Sequence, residues 1–218
     1  MKAVFFDLDG TLIDSRADLA TAVNLTRADF HLPPLSQEVV AGFVGEGLRK
    51  LLERSIPEKP AAMDELLAHA RTHYRAHWLD RTTLYPGTTE VLRELKARGW
   101  KRAVVTNKPS EYVAPILAGL GVADLFDARV GGGDTKLLKP NPEPVHLAAE
   151  RMGISDLRGS WMVGDHFTDL AAGRNAGLLR CFCRFGFGDA RAEKYDLAID
   201  SFAELIAGME KIGKRKDF

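Results

Sequence analysis

Cysteine is nearly absent: the 218 residues hold two, Cys181 and Cys183, one residue apart. On a strand that spacing puts both side chains on one side, where a bond between them would be strained. A disulfide-stapled scaffold is therefore not expected. A CxC metal site lacks a second ligand pair nearby, so two buried thiols in a reducing cytoplasm fit best. An excess of either charge is missing too. The 30 Lys and Arg residues balance 30 Asp and Glu residues, for a formal net charge of +0. That leaves no electrostatic footprint for nucleic acid or an anionic membrane. No apolar run is long enough to span a bilayer, and the opening MKAVFFDLDG turns acidic too early for a signal peptide. Internal repeats and low-complexity tracts are also lacking. What remains is an ordinary composition, 45% hydrophobic and 28% charged, in a chain long enough for one large domain or a core with a smaller insert.

The pattern along the chain is α/β. Residues 2–8 read as a buried strand. From about residue 15 to residue 82 the apolar spacing becomes helical, in ADLATAVNLTRADF, EGLRKLLERS and AAMDELLAHARTHYRAHWL, with breaks at PPLS and IPEKP and no obvious strand. After Tyr85-Pro86-Gly87, strands and helices alternate: a helix over 88–98, a strand at 102–106, a helix over 111–120 and a strand near 128–131. A helix over 145–152, a strand at 161–163, a helix over 169–175, strands at 179–184 and 197–199 and a terminal helix from Phe202 complete the order. Such alternation predicts a Rossmann-like parallel sheet flanked by helices. The domain expectation is a core from residues 1–14 and 83–218, with a helical cap at 15–82 inserted after the first strand. Hinges fall near residues 15–16 and 81–84, and the basic KIGKRKDF end is expected to fray.

Ligands of open α/β sheets bind beyond the carboxyl ends of the strands. At those ends stand Asp7 and Asp9, then Thr106-Asn107-Lys108, then Lys139 in KPNP, then Gly164-Asp165 with Asp169 four residues on. Asp7 and Asp9 share one side of their strand, with Leu8 turned away, and two like charges held together need a reward. Hard oxygen ligands suit Mg²⁺, with Asp7 and Asp165 as ligands and Asp169 a direct or supporting partner. Thr106 can donate to a phosphate oxygen, Lys139 can oppose its charge, and the Gly10-Thr11 backbone can offer N–H groups to it. Asn107 adds a polar group for substrate. An aspartate can attack phosphorus, which casts Asp7 as nucleophile and Asp9 as the acid that protonates the leaving oxygen and later activates water. Singly each piece has a structural reading: DxDG as a turn, Thr106 and Lys139 as loop residues, GDxxxD as a helix cap. DLDGTLIDS fails as a calcium loop, because Leu12 stands where glycine is needed.

Taken in order, FDLDGTLIDS, VVTN, the lysine of KPNPEP and GDHFTD resemble the four motifs of the haloacid dehalogenase superfamily of phosphohydrolases, across essentially the whole chain. The resemblance implies Asp7 as nucleophile and Asp9 as acid/base. It also implies phosphate binding by Thr106 and Lys139, Mg²⁺ on Asp7, Asp165 and the Asp9 carbonyl, and a cap that closes over substrate. Within the superfamily, DLATAVN, LYPGTTEVLRELKARG, AVVTNKP and LKPNPEP are similar to bacterial phosphoglycolate phosphatases. His166 and Phe167 stand where these relatives more often carry Ser and Arg or Lys. The expected partner is a small phosphorylated metabolite, 2-phosphoglycolate first, in a cytoplasmic monomer or homodimer with no nucleic-acid or membrane partner. A sugar phosphate, pyrophosphate or a phosphomutase reaction are the alternatives. A dehalogenase would need neither Asp9 nor the fourth motif, and a non-catalytic module would have lost a motif residue. In the cap, the glycine-rich start of GFVGEGLRKLL offers its loop backbone or Arg49 to a substrate carboxylate, with Lys50 an exposed neighbour. RFGFGDA, residues 184–190, is expected near the rim of the site.

Overall fold

The structure, a computed structural model, describes residues 2–216. Its first strand, β1 (Ala3–Phe6), is buried along its whole length. It lies inside a six-stranded sheet of order β5-β4-β1-β6-β7-β8. The other strands are β4 (Lys101–Pro109), β5 (Ala128–Gly132), β6 (Trp161–Gly164), β7 (Leu179–Cys183) and β8 (Leu197–Ile199), and every pairing is parallel. A parallel sheet is covered on both faces, so its strands read as unbroken apolar runs. Alternate residues of β1 serve the two faces. Val4 and Phe6, followed by Leu8, join a core built with α5 (Thr88–Ala97), α6 (Ser110–Gly119) and α9 (Leu205–Lys216). Ala3 and Phe5 join a second core with α7 (Glu143–Arg151) and α8 (Phe167–Asn175). The α/β fold is the one expected. Cys181 and Cys183 are free and buried, and burial pushes the Cys183 thiol up.

Between β1 and β4 the chain makes a helical insert of α1 (Arg16–Asp29), α2 (Gln37–Ala41), α3 (Leu48–Ser55) and α4 (Met63–His77). Two features differ from the sequence reading. α2 was unexpected after PPLS; the Ser36 hydroxyl accepts from the Val39 N–H and starts it. The block itself holds no strand, as expected, but a two-stranded ribbon not read from the sequence flanks it. β2 (Ile13–Asp14) pairs antiparallel with β3 (Thr83–Leu84), a ribbon too short to leave an alternating signature. This ribbon is the neck through which the chain enters and leaves the insert. Asp18, in the first turn of α1 and buried, pins the neck: its carboxylate accepts from the N–H of Arg81 and from both N–H and hydroxyl of Thr82, at 2.7–3.1 Å.

Candidate active site

The chain turns sharply after β1, where the Leu8 carbonyl accepts from the N–H groups of Thr11, Leu12 and Ile13. Gly10 takes φ +83°, and a Cβ there would fall 2.1 Å from Asp165 Oδ2, so both conformation and space require glycine. The turn delivers the Thr11 hydroxyl to Asp165 Oδ1 at 3.1 Å. The loop after β7 encloses the other oxygen: Phe187 and Gly188 donate their N–H groups to Asp165 Oδ2 at 3.0 and 2.8 Å. Asp169 caps α8 together with His166, its Oδ2 accepting the His166 N–H at 3.0 Å.

Lys139 ties these pieces together. Its ammonium, 1% exposed, donates to Asp7 Oδ1 at 2.8 Å, to Asp169 Oδ1 at 2.6 Å and to the Val105 carbonyl at 2.6 Å. The ligand oxygens of Asp7, Asp165 and Asp169 all lie within 4.8 Å of one another. Three buried carboxylates thus face one buried cation. Burial and the neighbouring Asp169 push the Asp7 carboxyl up to about 6 despite Lys139. Burial, Asp169 and Asp7 likewise hold Asp165 well above the carboxylate range. Burial alone would lower the Lys139 pKa, but Asp169 and Asp7 outweigh it and the pKa is raised. The uncompensated negative charge and all-oxygen donor set fit a hard divalent cation. A second ligand-like cluster, Asp29, His69 and His73, differs in kind: it is partly exposed, and Asp29 Oδ2 already accepts from both imidazoles at 2.6 and 2.7 Å.

Asp9 points to a different partner. Its Oδ1 accepts from the Ser15 hydroxyl at 2.5 Å, and Lys108 Nζ reaches its two oxygens at 2.8 and 3.0 Å. Ser15 precedes α1 but makes no side-chain cap, because its hydroxyl is used on Asp9. Asn107 spans the joint between sheet and insert, donating to the carbonyls of Gly45 and Lys139, each at 2.9 Å. Thr106, buried beside them, accepts from the Lys108 N–H at 3.2 Å.

The family model for haloacid dehalogenase-like hydrolases matches residues 1–177. The chain belongs to the haloacid dehalogenase-like hydrolase family. Its curated relatives include a phosphoglycolate phosphatase of Chromobacterium violaceum, 37% identical over 211 residues, covering 94% of this chain and 95% of that one. A Haemophilus influenzae phosphoglycolate phosphatase is 33% identical over 218 residues, covering 94% and 97%. Among solved structures, a predicted phosphoglycolate phosphatase from Haemophilus somnus superposes with a TM-score of 0.87 at 32% identity, over 95% of this chain and 97% of that one.

In this member of the family the structure gathers Asp7, Asp9, Gly10, Thr11, Thr106, Asn107, Lys139, Asp165 and Asp169 at the carboxyl end of the sheet. Arg49 is a correction. Its side chain is 56% exposed and pairs with Asp64 at 3.3 Å. Leu48, Leu51 and Leu52 are the α3 residues that line the cleft, and on a helix that spacing turns residue 49 outward. Lys50, paired with Glu53, is outward as well. Gly45 and Gly47 of the preceding loop do line the cleft.

Sequence reasoning missed Lys108 and Ser15, and it placed the 184–190 loop after β7 near the site without giving it the role on Asp165. Lys108 carried a signal: it stands two residues from Thr106 on one strand, hence on the same side. In the loop after β7, Gly186 and Gly188 let the backbone close on Asp165, where a Cβ on either would lie 2.3–2.6 Å from it. His166, unassigned from sequence, packs its ring on Gly45 of the insert, and burial lowers its pKa to about 4, so it stands neutral.

Proposed function

We propose that this hydrolase is a Mg²⁺-dependent phosphomonoesterase that works through a phosphoryl group carried on Asp7, with 2-phosphoglycolate as substrate. The observation that carries the reading is the shared hold of Lys139 on Asp7 and Asp169, next to Asp165. It fixes the nucleophile at the point where phosphate charge must be met. The relatives' activity supports the choice of substrate.

Asp7 attacks phosphorus, the P–O bond to the alcohol breaks, and Asp9 gives its proton to the departing oxygen. Asp9 then takes a proton from water, whose oxygen attacks phosphorus and releases inorganic phosphate and free Asp7. Lys139 and the Thr106 hydroxyl hold the phosphoryl oxygens. Asp7, Asp165 and the Asp9 carbonyl, with Asp169 behind, are the residues that would hold Mg²⁺. When bound, the ion supplies the positive charge that lets a carboxylate approach a phosphate.

The cavity between sheet and insert favours a small leaving group. It measures about 60 Å³ and is lined mostly by aliphatic side chains of the insert. The test is phosphate release from 2-phosphoglycolate, sugar phosphates, nucleotides and pyrophosphate, with Mg²⁺ or with EDTA. Metal-dependent preference for 2-phosphoglycolate, abolished in Asp7→Asn, is expected. A broad or sugar-directed profile would discard the substrate, and full turnover by Asp7→Asn would discard the nucleophile.

A further inference from the structure

With Arg49 turned to solvent, the non-phosphoryl end of the substrate needs another partner, and the cleft holds few polar atoms to choose from. Most of its wall is aliphatic, contributed by Leu19, Val23, Val44, Leu48 and Leu51. Beyond the reacting residues and Asn107, whose amide is committed to two carbonyls, the polar side chains along it are Lys108, Tyr74 and Tyr112, and the first two approach each other from the sheet and the insert. Lys108 comes from β4, with its side chain 4% exposed and its ammonium on Asp9. Tyr74 comes from α4 of the insert, its ring 4.5 Å from that ammonium.

The Tyr74 hydroxyl is buried and lies outside hydrogen-bond geometry with every described residue, with the Lys108 ammonium near enough to act on it electrostatically. A buried hydroxyl left unpaired is unfavourable, and such an orphan in a native structure calls for a ligand or a water. The ring itself is held firmly by an edge-on contact with Tyr112, centroids 5.0 Å apart. Lys108 is equally unusual. A buried ammonium is costly without an anion, and the anion it has is Asp9, whose carboxyl must turn to the leaving oxygen during the reaction.

We propose that Lys108 Nζ and the Tyr74 hydroxyl form a carboxylate subsite that reads the acid end of the substrate. The inference rests on the phosphatase reading above and names what selects its substrate. The geometry is consistent. The leaving oxygen must sit at Asp9, and in a two-carbon acid the carboxylate is one carbon further on, beside the group already touching Asp9. A cation and a hydroxyl donor together match an anion's acceptor oxygens. A neutral leaving group would leave the buried donor unpaired and be rejected, as sites built for hydrogen bonding reject analogues that lack the partner. Because one group belongs to the sheet and the other to the insert, an acid substrate also draws the two together.

The test compares kcat/KM for 2-phosphoglycolate with that for 2-hydroxyethyl phosphate, in which a hydroxymethyl group replaces the carboxylate. The wild-type protein should prefer the acid. Tyr74→Phe, which keeps the ring and removes only the orphan hydroxyl, should lower that preference about 10-fold. Lys108→Met should lower it by about 100-fold, chiefly through KM, with Lys108→Arg recovering part of the preference. Equal losses on both esters would mean that Lys108 only positions Asp9 and that Tyr74 only packs, which overturns the subsite and leaves the phosphatase reading standing. Equal use of both esters by the wild type overturns it as well. No release from either ester overturns 2-phosphoglycolate as substrate and the subsite with it. Should Lys108→Met fail to fold, Tyr74→Phe carries the comparison alone.

Discussion

Lys139 is the residue on which the site's charge balance turns. Removing its ammonium leaves Asp7 and Asp169 buried without a cation, and breaking a buried pair from one side costs about 3–5 kcal/mol. Lys139→Met should therefore lose turnover and also unfold at lower urea, as read by circular dichroism; an unchanged midpoint would contradict the burial argument. Asp9→Asn separates differently. It keeps the acceptor for Ser15 and Lys108 but cannot cycle a proton, so kcat should fall about 10²–10⁴-fold with stability little changed. Steady-state kinetics beside a melt checks both halves. The motif carboxylates and Lys139 were legible because each follows an apolar strand and carries chemistry in its type. Arg49 misled because a cation near a glycine hinge says nothing about which way its helix is turned. That direction is set by the leucines at 48, 51 and 52, which were legible too and outweigh it.

At the scale of elements, the neck deserves the next experiment. Asp18 gathers the N–H groups of Arg81 and Thr82 and the Thr82 hydroxyl in a buried setting. Asp18→Ala orphans all three, a loss on the order of 3 kcal/mol. Arg81→Ala removes a mostly exposed side chain, 3.7 Å from Asp18 and hydrogen-bonded to the Ala17 carbonyl and the Thr21 hydroxyl, and should cost about 1 kcal/mol. Denaturant unfolding of the two variants should rank them in that order, and the reverse ranking would refute the role given to Asp18. The long helices and the sheet strands were legible because periodicity accumulates over a run of residues. The two-residue strands of the neck and the short α2 offer too few positions for any period to register, and the pairing of Ile13 with Leu84 is a long-range fact.

For the whole molecule, the buried groups of the site couple stability to pH. Asp7 goes from an ordinary 3.8 to about 6 on folding, so its contribution is full below about 3.8 and is lost as the pH rises through 6. That rise is worth roughly 3 kcal/mol, and Asp165 acts in the same sense. His166 opposes them over the same range: lowered from 6.5 to about 4, it adds stability as the pH rises. On the proposed reading, the increment that Mg²⁺ adds to the melting temperature should grow with pH through about 6, because the ion would bind carboxylates that burial keeps protonated at lower pH. Melting scans with and without Mg²⁺ across that range measure the increment, and one that shrank with pH would contradict the assignment. The inner place of β1 has a consequence for synthesis. Its two neighbours in the sheet lie at residues 101–109 and 161–164, so the strand bearing Asp7 leaves the ribosome long before either can flank it. A nascent chain halted before residue 161 holds Asp7 on a half-paired strand, and the enclosure of Asp165 is complete only when the loop carrying Phe187 and Gly188 has emerged.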